Sequence, residues 1–322
     1  MAAVLDSSAF ILATEVWAPD PSGDVLLRTD GVYGPLKPFE AAAEEHGFAR
    51  GEGLPGRAWK EGRPILLTDL ADPVFARSSL AGEAGLAAAA AIPVFSGPAL
   101  KGVLVLFCGK DEAHVGAIEI WQGREGAMTL DAGFCGAARA FHEVSVRTTF
   151  KPGQGLPGGV WAANAPILMR DLGSSAGFVR SEAARVAGLT TGLGIPVPVP
   201  SGAPYVLTLL SGRATPIARR FEIWTVTPAK AGRAASASLA DGLCDIEGPL
   251  WDRDRASRPG QIPAGRTVLP WQGPIGRALA TGAPVAEATP AAPAGHPTRY
   301  AGMVALPQHN HGEVARVVAW YF

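Results

Sequence analysis

The chain has 322 residues and is close to neutral, with 28 Lys and Arg against 29 Asp and Glu, which leaves no basic stripe for nucleic acid or an anionic membrane. With 48% hydrophobic and 18% charged residues it is too apolar for a disordered chain and long enough for two or three domains. Its three widely spaced cysteines, Cys108, Cys135 and Cys244, make no disulfide framework and suit a reduced, cytoplasmic setting.

In chain order, the first residues, MAAVLDSSAFILATEVW, carry Asp6 and no basic side chain, so no signal peptide is expected. An apolar strand bearing Trp17 comes first, then the polar turn PDPSGD and a second strand over residues 25–27. Beyond a Gly-rich loop from Gly51, residues Leu54, Ala58 and Trp59 share one face of a short helix. Gly62 is placed to cap it in the left-handed conformation and Pro64 prevents its continuation. A short strand over 65–67, a helical stretch and a hairpin over 87–95 and 102–107 complete the unit. The run 86–95 is half the ~20 residues of a membrane span and contains Pro93. These elements read as a mixed sheet with helices on at least one face.

The same order then repeats. Glu15-Val16-Trp17 returns as Glu119-Ile120-Trp121 and Glu222-Ile223-Trp224. GEGLPGRAWKEGRPILLTDL from Gly51 returns as GQGLPGGVWAANAPILMRDL from Gly153 and, more loosely, as WQGPIGRALATGAPVAEA from Trp271. Two further markers keep step: DGVYG from Asp30 with AGFCG from Ala132 and DGLCD from Asp241, and AGLAAAAAIPVF from Ala84 with AGLTTGLGIPVP from Ala187 and AGMVALP from Ala301. Three units are expected, over 1–116, 117–220 and 221–322. The third is degenerate, with the Pro/Ala-rich ATPAAPAGHP from Ala288 where the others have VFARSS and FVRSEA, a composition poorly suited to a helix.

The order of Trp strand, Gly-x-Gly-Leu-Pro-Gly loop, apolar strand ending Asp-Leu, then Gly-Leu, Ile-Pro-Val and Gly-Val-Leu-Val-Leu resembles the GAF domain family. The likeness covers almost the whole chain, closely in the first two units and weakly in the third. It implies an α+β fold: three tandem PAS/GAF-like domains, each a mostly antiparallel sheet with short helices packed on it. It also implies a small-molecule pocket closed by helices and loops. Residues Tyr33, Arg77, Ser78, Cys135, Arg180, Ser181 and Thr190 are expected to line such pockets. The long flanking helices common in the family have no room here, because only 13 residues lie between Phe107 and Trp121.

Each motif also has a plainer reading. The Gly-rich loops fit G-x-G-x-x-G, yet a dinucleotide fingerprint needs a long crossover helix; a helix of ~6 residues is too short for a βαβ unit, so the glycines are expected to shape a turn or, less simply, to nest an anion. Cys135 and Cys244 share a repeat position held by Tyr33 in the first unit, which suits buried hydrophobes better than a redox or chromophore site. His309-Asn310-His311-Gly312 reads as a hairpin turn, or as a metal site shared with His296. Arg77-Ser78 and Arg180-Ser181 could anchor an anion, or the serines could cap helices. Trp59 and Trp161 read as core. No Ser/His/Asp arrangement, P-loop lysine or HExxH is present in the sequence.

The expected function is a non-catalytic sensory or regulatory protein that binds a small molecule and acts through a separate partner protein or as a homo-oligomer. The alternative is a ligand-free assembly subunit, favoured by filled pockets. A thiol reductase is the third reading. No cofactor is identified.

Overall fold

The computed structural model describes residues 9–72, 75–109, 114–244, 248–250, 267–290 and 300–322. His296 and most of the Pro/Ala-rich stretch of the third unit lie outside them.

The first unit runs β1 (Ile11–Pro19), β2 (Val25–Val32), α1 (Lys37–Glu44), β3 (Gly47–Ala49), α2 (Gly53–Glu61), β4 (Ile65–Leu67), α3 (Ser78–Glu83), β5 (Leu86–Ser96) and β6 (Ala99–Gly109). The second runs β7 (Val115–Arg124), β8 (Ala127–Gly136), α4 (Arg139–Arg147), α5 (Gly155–Ala163), β9 (Ile167–Arg170), α6 (Ser181–Ala187), β10 (Leu189–Val197) and β11 (Tyr205–Gly212). The third has β12 (Arg220–Thr227), β13 (Ser236–Cys244), β14 (Gly248–Pro249), β15 (Thr267–Val268), α7 (Gly273–Thr281), β16 (Val285–Ala288), β17 (Gly302–Asn310) and β18 (Glu313–Tyr321).

Five strands take one spatial order in all three sheets: β2-β1-β6-β5-β4, then β8-β7-β11-β10-β9, then β13-β12-β18-β17-β16. The pairings among these strands are antiparallel, so the mixed sheet expected from the elements alone is corrected to the antiparallel one that the resemblance implied. A bulge precedes the Trp of each opening strand, at Val16/Trp17, Ile120/Trp121 and Ile223/Trp224. It tightens the local twist at the same point in each sheet.

Local chemistry explains the helices. Helix α2 is nine residues, longer than the six expected, and closes on Gly62 at φ 62°. Its Gly56 has no room for a side chain, since a Cβ would stand 2.1 Å from the Ala49 carbonyl. Gly158 repeats this against Lys151 and Gly276 against Leu269, so the last glycine of the loop is fixed by backbone approach. With antiparallel pairing throughout these sheets, the loops sit in no βαβ crossover and the dinucleotide reading falls away. Helices α1 and α4, which the repeat markers do not flag, bury Phe39 and Phe141 at equivalent places.

The outward face of each sheet lies under its own helices, on separate cores around Trp17, Trp121 and Trp224. The inward faces meet in one apolar core drawn from all three units. Val16, Ile92, Leu104 and Leu106 contribute from the first, Ile120, Leu193 and Leu207 from the second, and Ile223, Val304, Val318 and Trp320 from the third. Both faces of the sheets are therefore covered, which is why strands such as β5 and β11 are nearly all apolar rather than alternating. The alanine run divides accordingly: Ala88 and Ala90 face the shared core, while Ala89 and Ala91 face the helices.

Three ion pairs close the ring of units. Arg63 reaches Asp131 at 3.2 Å, Arg170 reaches Asp241 at 2.6 Å, and Arg277 reaches Asp30 at 3.6 Å. They join the first unit to the second, the second to the third, and the third back to the first. Among the described residues no helix is long and apolar enough to cross a membrane.

Candidate functional site

The Glu of each Glu-x-Trp strand points away from the shared core, toward the helices. In the first unit Glu15 is fully buried, and Arg77 meets it with two hydrogen bonds of 2.7 Å, Nη1 to Oε1 and Nη2 to Oε2. Trp17 Nε1 donates to Oε2 at 2.9 Å and the Tyr33 hydroxyl to Oε1 at 3.0 Å. The carboxylate thus accepts four bonds, the saturation a buried charge requires. The guanidinium lies 4.3 Å from the Phe39 ring centre and 5.7 Å from those of Phe75 and Phe107, a cation stacked among aromatic faces.

The second unit repeats the arrangement. Arg180 binds Glu119 through Nη1 at 2.6 Å and Nη2 at 2.9 Å, and its Nη1 also donates to Ser145 Oγ. Trp121 Nε1 and Thr208 Oγ1 complete the carboxylate shell at 3.1 and 3.0 Å. The Arg180 guanidinium lies among the rings of Phe141, Trp121, Phe178 and Phe150, 4.6 to 5.6 Å from their centres. Burial alone would raise the Glu119 carboxyl, but Arg180 and these hydrogen bonds outweigh it and hold it below the usual carboxylate range.

In the third unit the cation comes from elsewhere. Arg220 Nε donates to Glu222 Oε1 at 2.6 Å from two residues away on the same strand. That position is Ala13 in the first unit and Ala117 in the second. Trp224 Nε1 and the Tyr321 hydroxyl donate to the other oxygen at 2.9 and 3.2 Å. Three buried carboxylates thus each hold an arginine, a tryptophan and a hydroxyl, with the arginine supplied along two different routes.

Of the residues expected to line pockets, Tyr33 and Arg77 meet on Glu15, and Arg180 meets Glu119 with Cys135 in the same core. Burial and the nearby Glu15 push the Tyr33 phenol well above its ordinary range, and burial with Glu119 does the same to the Cys135 thiol. His142 Nδ1 lies 3.8 Å from Cys135 Sγ. Ser78 and Ser181 open α3 and α6, but no side-chain hydrogen bond caps either helix, so the capping reading is overturned. Ser78 is exposed to solvent, and Thr190 Oγ1 donates to the Ser211 carbonyl at 3.3 Å. The residues that sequence reasoning missed are the glutamates themselves. The signal was present: Glu15 precedes Arg77 by 62 residues and Glu119 precedes Arg180 by 61.

Little space remains around the first pair. The cavity bounded by Glu15, Phe48, Leu54, Phe75, Arg77 and Phe107 measures about 10 Å³, at most one water. Larger hollows lie elsewhere: one of about 950 Å³ where the three unit tips converge, by the 96–98, 198–202 and 309–312 segments, and one of about 360 Å³ within the second unit, by Trp161, Pro204 and Tyr205. His309–Gly312 is the hairpin turn expected, with φ of 50° at His311 and 84° at Gly312. His309 Nε2 donates to the Gly282 carbonyl at 2.8 Å, and among the described residues no three His, Cys, Asp or Glu side chains gather for a metal.

The family model for the GAF domain matches residues 7–122. The GAF domain of A. Aeolicus nlh2 in an inactive state is similar at 15% identity and a TM-score of 0.25, over 30% of this chain and 57% of that one. A GAF domain/HD domain protein from Geobacter sulfurreducens is similar at 16% and 0.26, over 31% and 65%. An NreA protein from Staphylococcus aureus, mutated in its nitrate binding site, is similar at 13% and 0.26, over 31% and 73%. The chain spans less than two thirds of the length of the first two structures, and no curated protein matches it. The match to the GAF domain family thus lies over residues 7–122, around the buried Glu15–Arg77 pair.

Proposed function

We propose that this chain is a non-catalytic regulatory protein that works through its surface on a partner protein, with the interior of its first GAF-like unit closed by its own side chains. The observation that carries this reading is the Glu15–Arg77 pair, whose aromatic shell leaves a cavity of about 10 Å³. A drug-sized ligand needs some 300–1,000 Å³. The three units 1–116, 117–220 and 221–322 sharing one apolar core suit a rigid body that presents surfaces, as an assembly subunit would. Residues Tyr33, Arg77, Cys135 and Arg180 then serve the interior of the fold rather than a ligand.

The second reading is a small-molecule sensor, favoured by the family match itself, since GAF domains are sensory small-molecule-binding domains of signalling proteins. In that case Arg77 or Arg180 would release its carboxylate to take an anionic ligand. Native mass spectrometry of the chain purified from its own host separates the two. Bare chain with a stoichiometric protein partner supports the first reading. A small non-covalent mass lost on denaturation, and absent from an Arg77→Met, Arg180→Met variant, would replace it with the second.

A further inference from the structure

The loop before α7 keeps the hydrogen bonds of its sisters but not their side chains. In all three units the residue that opens the loop donates its amide to the last glycine: Gly51 to Gly56 and Gly153 to Gly158 at 2.7 Å, Trp271 to Gly276 at 2.9 Å. The side chain that follows closes the turn in each case, with Glu52, Gln154 and Gln272 accepting from the amides of Ala49, Lys151 and Leu269. The backbone is left-handed at the opening position in all three, with φ of 98°, 81° and 71°. Two units place glycine there, as that conformation favours; the third places a tryptophan.

Trp271 is 69% exposed, and Leu269 beside it is 42% exposed, where the sister units have Ala49 and Lys151. From Thr267 to Gly276 no side chain carries a charge, whereas the first unit's loop has Arg50 and Glu52. A bulky apolar side chain held in solvent, in a conformation that costs backbone energy, has no role in the fold that glycine does not fill better. Its neutral setting suits neither nucleic acid nor an anionic membrane, both of which call for lysine and arginine.

A receptor of matching chemistry lies on the same chain. The cleft of about 950 Å³ where the unit tips meet is lined by Phe95, Pro98, Pro198, Pro200, Asn310 and His311 among others, and none of its lining residues is Asp, Glu, Lys or Arg. Helix α7 separates it from the tryptophan. Trp271 precedes the N-terminus of α7, while Gly282 at its C-terminus is bonded to His309 of the cleft. Nine residues of helix place them roughly 13 Å apart at opposite ends. We propose that Trp271, with Leu269, docks into this cleft of a second copy of the chain, giving a heterologous, head-to-tail contact. A neutral indole among prolines and a phenylalanine buries apolar surface on both sides and leaves no charge unpaired. Because knob and receptor are different surfaces, each added copy offers a free one of each.

Sedimentation velocity over a concentration series tests this with the full chain. The wild type is expected to gain mass in steps of one chain as concentration rises. Trp271→Gly, which restores the residue of the sister loops, and Asn310→Asp, which puts a charge into the exposed rim of the cleft, are each expected to weaken association roughly thirtyfold or more. Mixed in equal amounts, the two variants are expected to form a pair and nothing larger, since one retains the cleft and the other the knob. His311→Asp serves as a second cleft variant, with circular dichroism verifying that each variant is folded. A wild type that stays a single chain at every concentration overturns the proposal. So does a mixture of variants that fails to pair.

Discussion

Arg77 and Glu15, 62 residues apart in the chain, meet in a two-pronged ion pair with both side chains nearly sealed from water. The pair fills the space that the fold leaves between sheet and helices, and ties the α3 segment to the opening strand. Its recurrence as Arg180–Glu119, and as Arg220–Glu222 with the cation moved onto the strand, shows what each unit must supply. A carboxylate buried beside the indole needs a positive charge, from whichever element can reach it.

Removing only the cation should therefore be severe. Arg77→Met leaves Glu15 buried without its counter-charge and is expected to destabilise by about 3–5 kcal/mol. The double variant Glu15→Leu, Arg77→Met removes both charges and is expected to recover most of that loss. Urea unfolding of the two variants measures the difference. Equal destabilisation by both would show that the arginine acts through packing on Phe39 rather than through its charge.

The same logic sets a pH dependence. The Glu119 carboxyl titrates below its ordinary 4.5 in the folded chain, so between the two values the unfolded chain binds more protons than the folded one. The contribution is fully present above the ordinary value and is lost as pH falls through the folded one. The urea midpoint of the wild type should fall as the solution is acidified below that range. A Glu119→Leu, Arg180→Met variant should show a shallower fall. An identical slope in both would place the acid sensitivity elsewhere.

The shared inward core predicts joint unfolding. Leu207 is fully buried at the meeting of the three sheets, and Leu207→Ala is expected to cost about 2–5 kcal/mol. Calorimetry should give a single transition whose van't Hoff and calorimetric enthalpies agree, moved downward as a whole by the substitution. Separate transitions, with only one moved, would mean that the units fold independently. The inter-unit pairs at Arg63, Arg170 and Arg277 are part exposed and should add only about 0.2–1 kcal/mol each.

Much of this architecture was legible in the residues. The Glu-x-Trp strands, the Gly62 cap with Pro64 behind it, and the 65–67 strand could be read because each rests on local chemistry or on a marker repeated along the chain. Helices α1 and α4 were not, because Phe39 and Phe141 sit in segments that share little else between the units. The serines beside Arg77 and Arg180 drew attention to capping, when the long side chain preceding each turns inward to a carboxylate far away in sequence. The ring closure at Arg277 and Asp30 was equally hidden. It depends on how three sheets stand against one another, which no periodicity within one unit encodes.

The thiols offer a check on the interior. Cys108 lies in the shared core, Cys135 and Cys244 under the helices of their own units, and all three are buried. Burial pushes the Cys108 and Cys135 thiols well above their ordinary range, which starves them of the reactive thiolate. A thiol-reactive dye should label the native chain slowly and all three sites rapidly in denaturant. Fast native labelling of Cys135 would indicate that the Arg180 segment opens readily and would revive the sensor reading.

The tryptophan at position 271 should cost the chain stability in isolation. Its φ of 71° and 69% exposure combine a left-handed backbone, costing a residue with a Cβ about 1–2 kcal/mol, with an indole that gains little from burial. Trp271→Gly removes the strain but adds freedom to the unfolded chain, worth roughly 0.5–1 kcal/mol in the opposite direction. The net expectation is a stabilisation of about 0.5–1 kcal/mol, whereas a glycine replacing a residue of ordinary conformation destabilises. Trp271→Ala, which keeps the Cβ and so the strain, should show no such gain. Urea unfolding at concentrations where the chain is monomeric measures both. A glycine variant less stable than wild type would mean that the indole packs on the fold after all, and that its exposure serves no partner.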